Sequence, residues 1–386
     1  MNFQVAARAG LARTGTLHTP HGDLATPGCL MATMRGIVPH LAKDVLSRIP
    51  YANGLEIYFA EMLESEGFAL LERFGVSAHT HLNATQNILC LSLRNAMVYN
   101  LDGPANDNRI TVSGEGGKHP VNAELFARAC RLLQPDFACA MADEPVSTCS
   151  RKRAGKAVTT TGKYLDAILA QGDLKCPLFG VVAGGSSPEE RVRSAELTAT
   201  RPVAGFLLGG FGLGETPQER DCIFPLVMAK LPAEKPRMIA GLGTPVEVMQ
   251  AVANGVDVFS SAYPLIESEA GNALVFPLSP SSQESDPFKL NMRSGRWELE
   301  QVPLVAGCGC YTCQRHTRAY VRHLLNTHEM TGDILLMIHN AYHYLQFFAA
   351  IRECISADAS HPPADGAHSQ FEQLRQRIVA SMLLPL

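Results

Sequence analysis

The run PLFGVVAGG (177–185), SSPEERVRSAELTAT (186–200), VAGFLLGGFGLGE (203–215), TPQERDCIFPLVMAKL (216–231), PRMIAGLG (236–243), TPVEVMQAVANG (244–255) and VDVFSSAYP (256–264) decides the fold. Short apolar stretches that end in glycine read as buried strands, and each is followed by a segment of helical length. Three of those segments open on Ser-Pro or Thr-Pro. The hydroxyl caps the first turn, and the proline ring holds the φ that a helix start needs. Strands that alternate with helices in this way predict successive βα units and a parallel sheet. A chain of 386 residues has room for eight such units, so the expected fold is a (β/α)8 TIM barrel, whose chemistry sits at the C-terminal ends of its strands. Glycines gather at those ends: Gly184, Gly185, Gly209, Gly210, Gly212, Gly214, Gly241 and Gly243. They serve either tight turning or the close approach of a flat ligand to the backbone.

Composition narrows the class. Hydrophobic residues make up 46% and charged residues 18% of the chain, and no stretch reads as a membrane span. A net charge of −4 supplies no global field for a polyanion, so any nucleic-acid contact must come from local basic patches. Eleven cysteines, an odd number, in a chain whose first residues lack a secretory apolar core point to thiols or metal ligands in a reducing compartment. The expected location is the cytoplasm, with peripheral contact at the mitochondrial outer surface left open. The first 22 residues carry Arg8 and Arg13 and no acid, as an organellar presequence would, but their Gly and Pro punctuation favours a first strand and hairpin. The polar stretches 101–120, 277–295 and 356–369 read as loops, the last of them mobile. Phe371, Leu374, Ile378 and Met382 in the final segment have the spacing of a packed closing helix.

The strongest chemical signal is CGCYTC (308–313), followed by His339 in ILLMIHN. Three thiolates on a short knuckle and one imidazole from a later helix make a closed tetrahedral set suited to a single structural zinc ion, with no open position for an activated water. The competing reading is a group of buried free cysteines. His316, His323, His328 and His343 are also near, but His339 sits in an apolar run and is expected to point inward. Arg315, Arg318 and Arg322 fall at helical spacing and are candidate phosphate contacts, as is the basic cluster RKRAGK (151–156); solvated surface is the alternative.

These residues together resemble the tRNA-guanine transglycosylases. The resemblance is carried by the CxCxxC knuckle with its downstream His-Asn, by LLGGFGLGE, by PRMIAGLGTPVEVMQAVANGVDVF and by the opening RTGTLHTPHGDLATPGCLMATMRG. It runs in order from about residue 13 to residue 352. It implies a zinc-bearing barrel of the kind that exchanges a guanine in tRNA for queuine or a precursor. It assigns Cys308, Cys310, Cys313 and His339 to the metal, Gly209 and Gly210 to the base-binding loop, and Asp143 in CAMADEP to base recognition.

Departures from the family pattern decide the functional expectation. Exchange needs a carboxylate nucleophile that holds the ribose after the base leaves, and at that position this chain has Ser260. An early Asp-Ser-Gly-Gly-Phe-Gln segment is absent; the corresponding region within 83–110 reads NATQNILCLSLRNAMVYNLDGP. The basic loop after the nucleophile strand is replaced by YPLIESEAGN, where Glu267 and Glu269 bring negative charge. This pattern is similar to the family's non-catalytic, accessory branch, which pairs with a catalytic queuine tRNA-ribosyltransferase subunit and meets tRNA through the complex. The expected arrangement is a barrel over 1–300, a zinc-binding subdomain with interface helices over 301–355, and a loop with a closing helix over 356–386. Tyr342, Tyr344, Phe347 and Phe348 suit either that interface or the core. Two alternatives stand: a self-sufficient transglycosylase using another carboxylate, such as Asp257 or Glu267, and a queuine-binding salvage protein.

Overall fold

The computed structural model describes residues 1–64, 67–93, 95, 105–114, 117–281, 287–363 and 368–383. The chain opens with an antiparallel sheet of β1 (Asn2–Ala9), β2 (Ala12–Thr19) and β3 (Gly22–Thr26), so the first 22 residues do form a strand and hairpin. Around the barrel run β4 (Gly28–Ala32), with helix α1 (Lys43–Leu46) after it, and β5 (Gly54–Tyr58), with α2 (Phe59–Glu64), α3 (Gly67–Phe74) and α4 (Ala78–His81). β6 (Ile88–Ser92) leads to the hairpin β7 (Arg109–Gly114) and β8 (Gly117–Asn122), then α5 (Ala123–Leu133). β9 (Phe137–Cys139) and α6 (Arg151–Leu169), β10 (Leu178–Val182) and α7 (Pro188–Ala199), β11 (Gly205–Leu208) and α8 (Pro217–Met228), and β12 (Arg237–Ala240) and α9 (Pro245–Ala253) follow as βα units. β13 (Val258–Ser261) and α10 (Tyr263–Glu269) complete the ring. The order β10-β11-β12-β13-β4-β5-β6-β9 closes on itself with every pair parallel, an eight-stranded (β/α)8 barrel.

The local signals act as the sequence predicts. Ser187, Thr216 and Thr244 cap α7, α8 and α9, each with proline in the first turn, and the last two complete a capping box with Glu219 and Glu247. Each box satisfies two backbone donors that a helix start leaves open. Barrel-strand residues are mostly apolar, as a sheet covered by helices demands, with Glu56, Ser92, Arg237, Ser260 and Ser261 as buried polar exceptions.

Beyond the barrel, β14 (Asn272–Leu274) pairs with β15 (Lys289–Asn291), and α11 (Tyr311–Arg315) and α12 (Arg318–Asn326) precede the long α13 (Met330–Ser360) and α14 (Gln370–Met382). Ala273, Leu290, Met292, Trp297, Leu304, Val321, Leu325 and Leu336 form a small core of their own beside the barrel. Parts of the three expected loops are regular. Residues 109–114 pair with 117–122 as β7 and β8, 289–291 form β15, and α13 carries helix through to Ser360; residues 101–104, 115–116, 282–286 and 364–367 lie outside the described residues. α14 packs Phe371, Leu374 and Ile378, whereas Met382 is exposed: the apolar face ends one turn earlier than its spacing suggests. α13 is long and apolar enough to cross a membrane by length and composition, yet 83% of its most apolar window is buried inside the fold, as a core helix requires. Tyr344, Phe347 and Phe348 belong to that core, and only Tyr342 among the four aromatic candidates is half-buried.

Candidate functional site

Ser260 is the third residue of β13, lies inside the barrel and is buried. Its hydroxyl donates to Oε2 of Glu56, on β5. The same carboxyl accepts from Tyr58 Oη at 2.8 Å and from Ser92 Oγ, at the end of β6. Burial raises the Glu56 carboxyl above its ordinary pKa, while the three hydroxyls pull the other way without cancelling it. A carboxylate can activate a neighbouring serine, but here both are walled in. The hollow that Glu56, Ser92, Cys139, Glu144, Leu207 and Ala240 line has a volume of about 30 Å³. That is room for one water, against ~150 Å³ for a cavity that accepts a benzene-sized ring.

The residues that the resemblance assigns to base recognition are likewise engaged within the chain. Asp143 receives both guanidinium nitrogens of Arg153, at 2.7 and 2.6 Å, and its amide donates to Thr161 Oγ1 at 3.0 Å. Arg153 belongs to the RKRAGK cluster; the structure turns it toward the mouth, leaving Arg151, Lys152 and Lys156 exposed on α6. Glu144 accepts from the Gly210 amide at 2.6 Å, which brings CAMADEP and the GGFG loop together. From the other side the buried Arg191 of α7 donates to the carbonyls of Val182, Gly185, Gly209 and Gly210 and lies 4.1 Å from the centre of the Phe211 ring. Burial lowers its pKa to about 10, so it remains a cation at neutral pH. The loop therefore uses its polar backbone internally. Glycine is required where two such loops abut: with φ at +74° and +88°, Gly212 and Gly241 each face backbone atoms of the other's loop within 2.4 Å of where a Cβ would stand.

Neither candidate replacement carboxylate reaches the mouth. Asp257 precedes β13 and takes Nε and Nη2 of Arg13 at 2.7 and 2.6 Å, both residues being buried. It faces away from Ser260, as strand alternation predicts. Glu267 is buried on α10 and bound by Lys289 Nζ at 3.0 Å and by Asn272, so it displays no charge to a phosphate. Glu269 alone of that pair is exposed.

Cys308, Cys310 and Cys313 place their sulfurs 3.9, 3.5 and 3.4 Å from Nδ1 of His339. A tetrahedral ion with bonds of ~2.3 Å to sulfur and ~2.1 Å to nitrogen separates such donors by about 3.6 Å, so the four atoms surround a point where a metal ion fits. His339 Nε2 donates to Leu274 O at 2.8 Å, which leaves Nδ1 free of its proton and aimed at the sulfurs. Asn340, the next residue, donates to Ser268 Oγ and Asn272 O and accepts from the Leu274 amide, fixing α13 against β14. The four residues could hold a metal ion.

The arginines expected on one helical face are divided. Arg315 ends α11, Thr317 then caps α12, and Arg318 starts the new helix. Arg318 donates to the carbonyls of Pro303 and Leu304, and Arg322 to that of Ser294. Only Arg315 is exposed. Sequence reading missed Glu56, whose sole signal is a charge inside the apolar strand GLEIYFA, and Arg191, which nothing local distinguishes from a solvated helix residue.

A closed parallel barrel, a Cys3His group that could hold a metal ion and a glycine loop at the mouth fit the tRNA-guanine transglycosylase class of barrels. The family model described as "Queuine tRNA-ribosyltransferase" matches residues 8–368, and the chain belongs to that family. Among its relatives, "Queuine tRNA-ribosyltransferase accessory subunit 2" of Danio rerio is 35% identical over 384 residues, covering 89% of this chain and 92% of that protein. The proteins of that name from Gallus gallus and Homo sapiens are 34% and 32% identical, covering 91% and 90% of this chain and 91% and 92% of their own lengths.

Proposed function

We propose that this chain is the non-catalytic accessory subunit of a heterodimeric queuine tRNA-ribosyltransferase, whose partner performs the exchange of guanine for queuine in tRNA. The observation that carries this reading is the serine where the resemblance expects a nucleophilic carboxylate: buried Ser260 is hydrogen-bonded to Glu56, which lines a hollow of about 30 Å³. Among the described residues that hollow is smaller than a ribose or a purine, which weighs against both a self-sufficient transglycosylase and a queuine store. The Cys3His set is best suited to zinc, since three thiolates and an imidazole in a closed tetrahedron match its preferences and leave no site for a hydrolytic water. The ion would hold the knuckle on α13.

The partner face is proposed on this metal-bearing lobe. Leu299, Val302, Tyr311 and Tyr320 are 86%, 45%, 54% and 43% exposed, and His316 stacks on Tyr320 and meets the Tyr311 ring at a tilt. Exposed Arg315 lies beside them and is the arginine of the three best placed to meet a phosphate. The cysteines are all free of disulfides, which suits the cytoplasm or the cytoplasmic face of the mitochondrial outer membrane. The test is guanine exchange into tRNA by the purified chain, by a catalytic homologue and by their mixture. Exchange that needs the mixture supports the proposal; exchange by this chain alone overturns it.

A further inference from the structure

On the barrel end opposite the mouth, three separate segments bring His21, His79 and Asp136 together. His21 lies in the turn between β2 and β3, His79 is on α4, and Asp136 immediately precedes β9. His79 and Asp136 are buried, while the His21 side chain is 32% exposed. One ligand-type atom from each residue lies within 4.8 Å of the others. His21 Nδ1 is 3.0 Å from Asp136 Oδ1, and His79 Nε2 is 3.3 Å from Asp136 Oδ2. Donors of a tetrahedral ion with bonds of ~2.0 Å stand about 3.3 Å apart.

Protonation logic sharpens this. His79 Nδ1 sits 3.0 Å from the carbonyl oxygen of Ala84, an atom that only accepts, so Nδ1 carries the ring proton. Its other nitrogen, Nε2, is buried, faces Asp136 Oδ2 at 3.3 Å and makes no hydrogen bond of acceptable geometry. A positive centre between nitrogen and carboxylate, a ring proton or a metal ion, satisfies both, and the third donor that His21 brings to the same point favours the ion. A buried imidazole that gives one N–H to a backbone carbonyl and turns the other nitrogen toward a carboxylate is also the arrangement in which ligating histidines are oriented.

We propose that His21, His79 and Asp136 form a second divalent-metal site, with a donor set of two imidazoles and one carboxylate suited to zinc. Its fourth position faces solvent on the His21 side and takes water. The two imidazole rings stack with centres 3.5 Å apart, so a bound ion tilts the His21 ring, the one ligand not held in the core. The site ties the N-terminal three-stranded sheet to α4 and to the start of β9. It lies at the end of the barrel where bound groups serve stability and not catalysis.

The test uses the full chain stripped of metal and reloaded with cobalt(II) against a competing chelator. Two cobalt ions per chain are expected: one with the intense near-ultraviolet band of thiolate ligation, the other with weak visible bands only. His21→Ala, at a half-exposed turn residue, is expected to drop the count from two to one and leave the thiolate band intact. Cys310→Ser is expected to do the reverse, and His21→Asp, which puts a carboxylate donor in place of the imidazole, to recover the second ion. One cobalt per chain in the unaltered protein, or a second cobalt that survives His21→Ala with the thiolate band unchanged, overturns the proposal, the second outcome because the ion would then be bound elsewhere.

Discussion

Ser260 shows how a single position can be legible while its neighbour stays hidden. By resemblance, its place after Phe259 in VDVFSSAYP corresponds to the nucleophile position, and the strand's alternation turns Asp257 away, onto Arg13. Its partner Glu56 is 204 residues distant, and no local pattern links them, because barrel closure makes the contact. The consequence is testable: Ser260→Asp would restore the expected nucleophile but set a second carboxylate against Glu56 in a buried site. We expect no exchange activity and a loss of about 3 kcal/mol or more, measured by denaturant unfolding, with much of the loss recovered when Glu56→Gln is added. Glu56 alone carries a pH signature. Its folded pKa is raised above its unfolded value of 4.5, so its contribution is greatest below that pH and is lost as pH rises through the folded pKa. Glu56→Gln is therefore expected to gain stability at neutral pH relative to acid, seen as a flatter dependence of melting temperature on pH; an unchanged dependence would show Glu56 to be solvated.

Among the elements, those fixed by local chemistry are the ones the sequence shows. Strands ending in glycine and helices starting at Ser187, Thr216 and Thr244 appear where their residues place them, because a cap and its orphan amides are neighbours in the chain. Thr244→Ala should cost about 1 kcal/mol through loss of the box with Glu247, with no change in metal content. Elements set by long-range packing are less legible. The three arginines between 315 and 322 have helical spacing, yet Thr317 starts a second helix there because the knuckle must bend to bring Cys308, Cys310 and Cys313 onto His339. The aromatic run of α13 has no polar stripe to reveal which side faces out, since barrel and lobe enclose it. The core beside the Cys3His group is small, eight buried residues, so a metal ion held there would be expected to support the lobe. Removing metal, or changing His339→Ala, should release amide protection in α11 and α12 while β10 to β13 stay protected, as hydrogen exchange would report. Uniform loss of protection would mean that the ion supports the whole barrel.

At the scale of the molecule, the chain keeps the frame of a transglycosylase and spends its mouth on internal contacts: Asp143 on Arg153, the Gly209–Gly210 carbonyls on Arg191, and Ser260 on Glu56. A barrel so closed has its surface left for recognition. Large apolar side chains exposed on a polar protein are informative where they adjoin one another, and Tyr311 and Tyr320 are joined through the His316 ring on the lobe that carries the Cys3His group. Tyrosines at the centre of an interface commonly carry much of its binding energy. Tyr311→Asp with Tyr320→Asp puts two charges on that patch without touching a metal ligand or the barrel core. If the patch is the partner face, the double variant should keep its metal content and melting temperature and lose co-elution with the catalytic homologue, a weakening of at least tenfold, or about 1.4 kcal/mol. Exchange by the mixture would fall in parallel and recover at high concentration of the variant, because mass action offsets a weakened interface. A variant that still co-elutes but no longer supports exchange would instead place the tyrosines on the tRNA side of the complex, and the partner face would have to be sought elsewhere on the molecule.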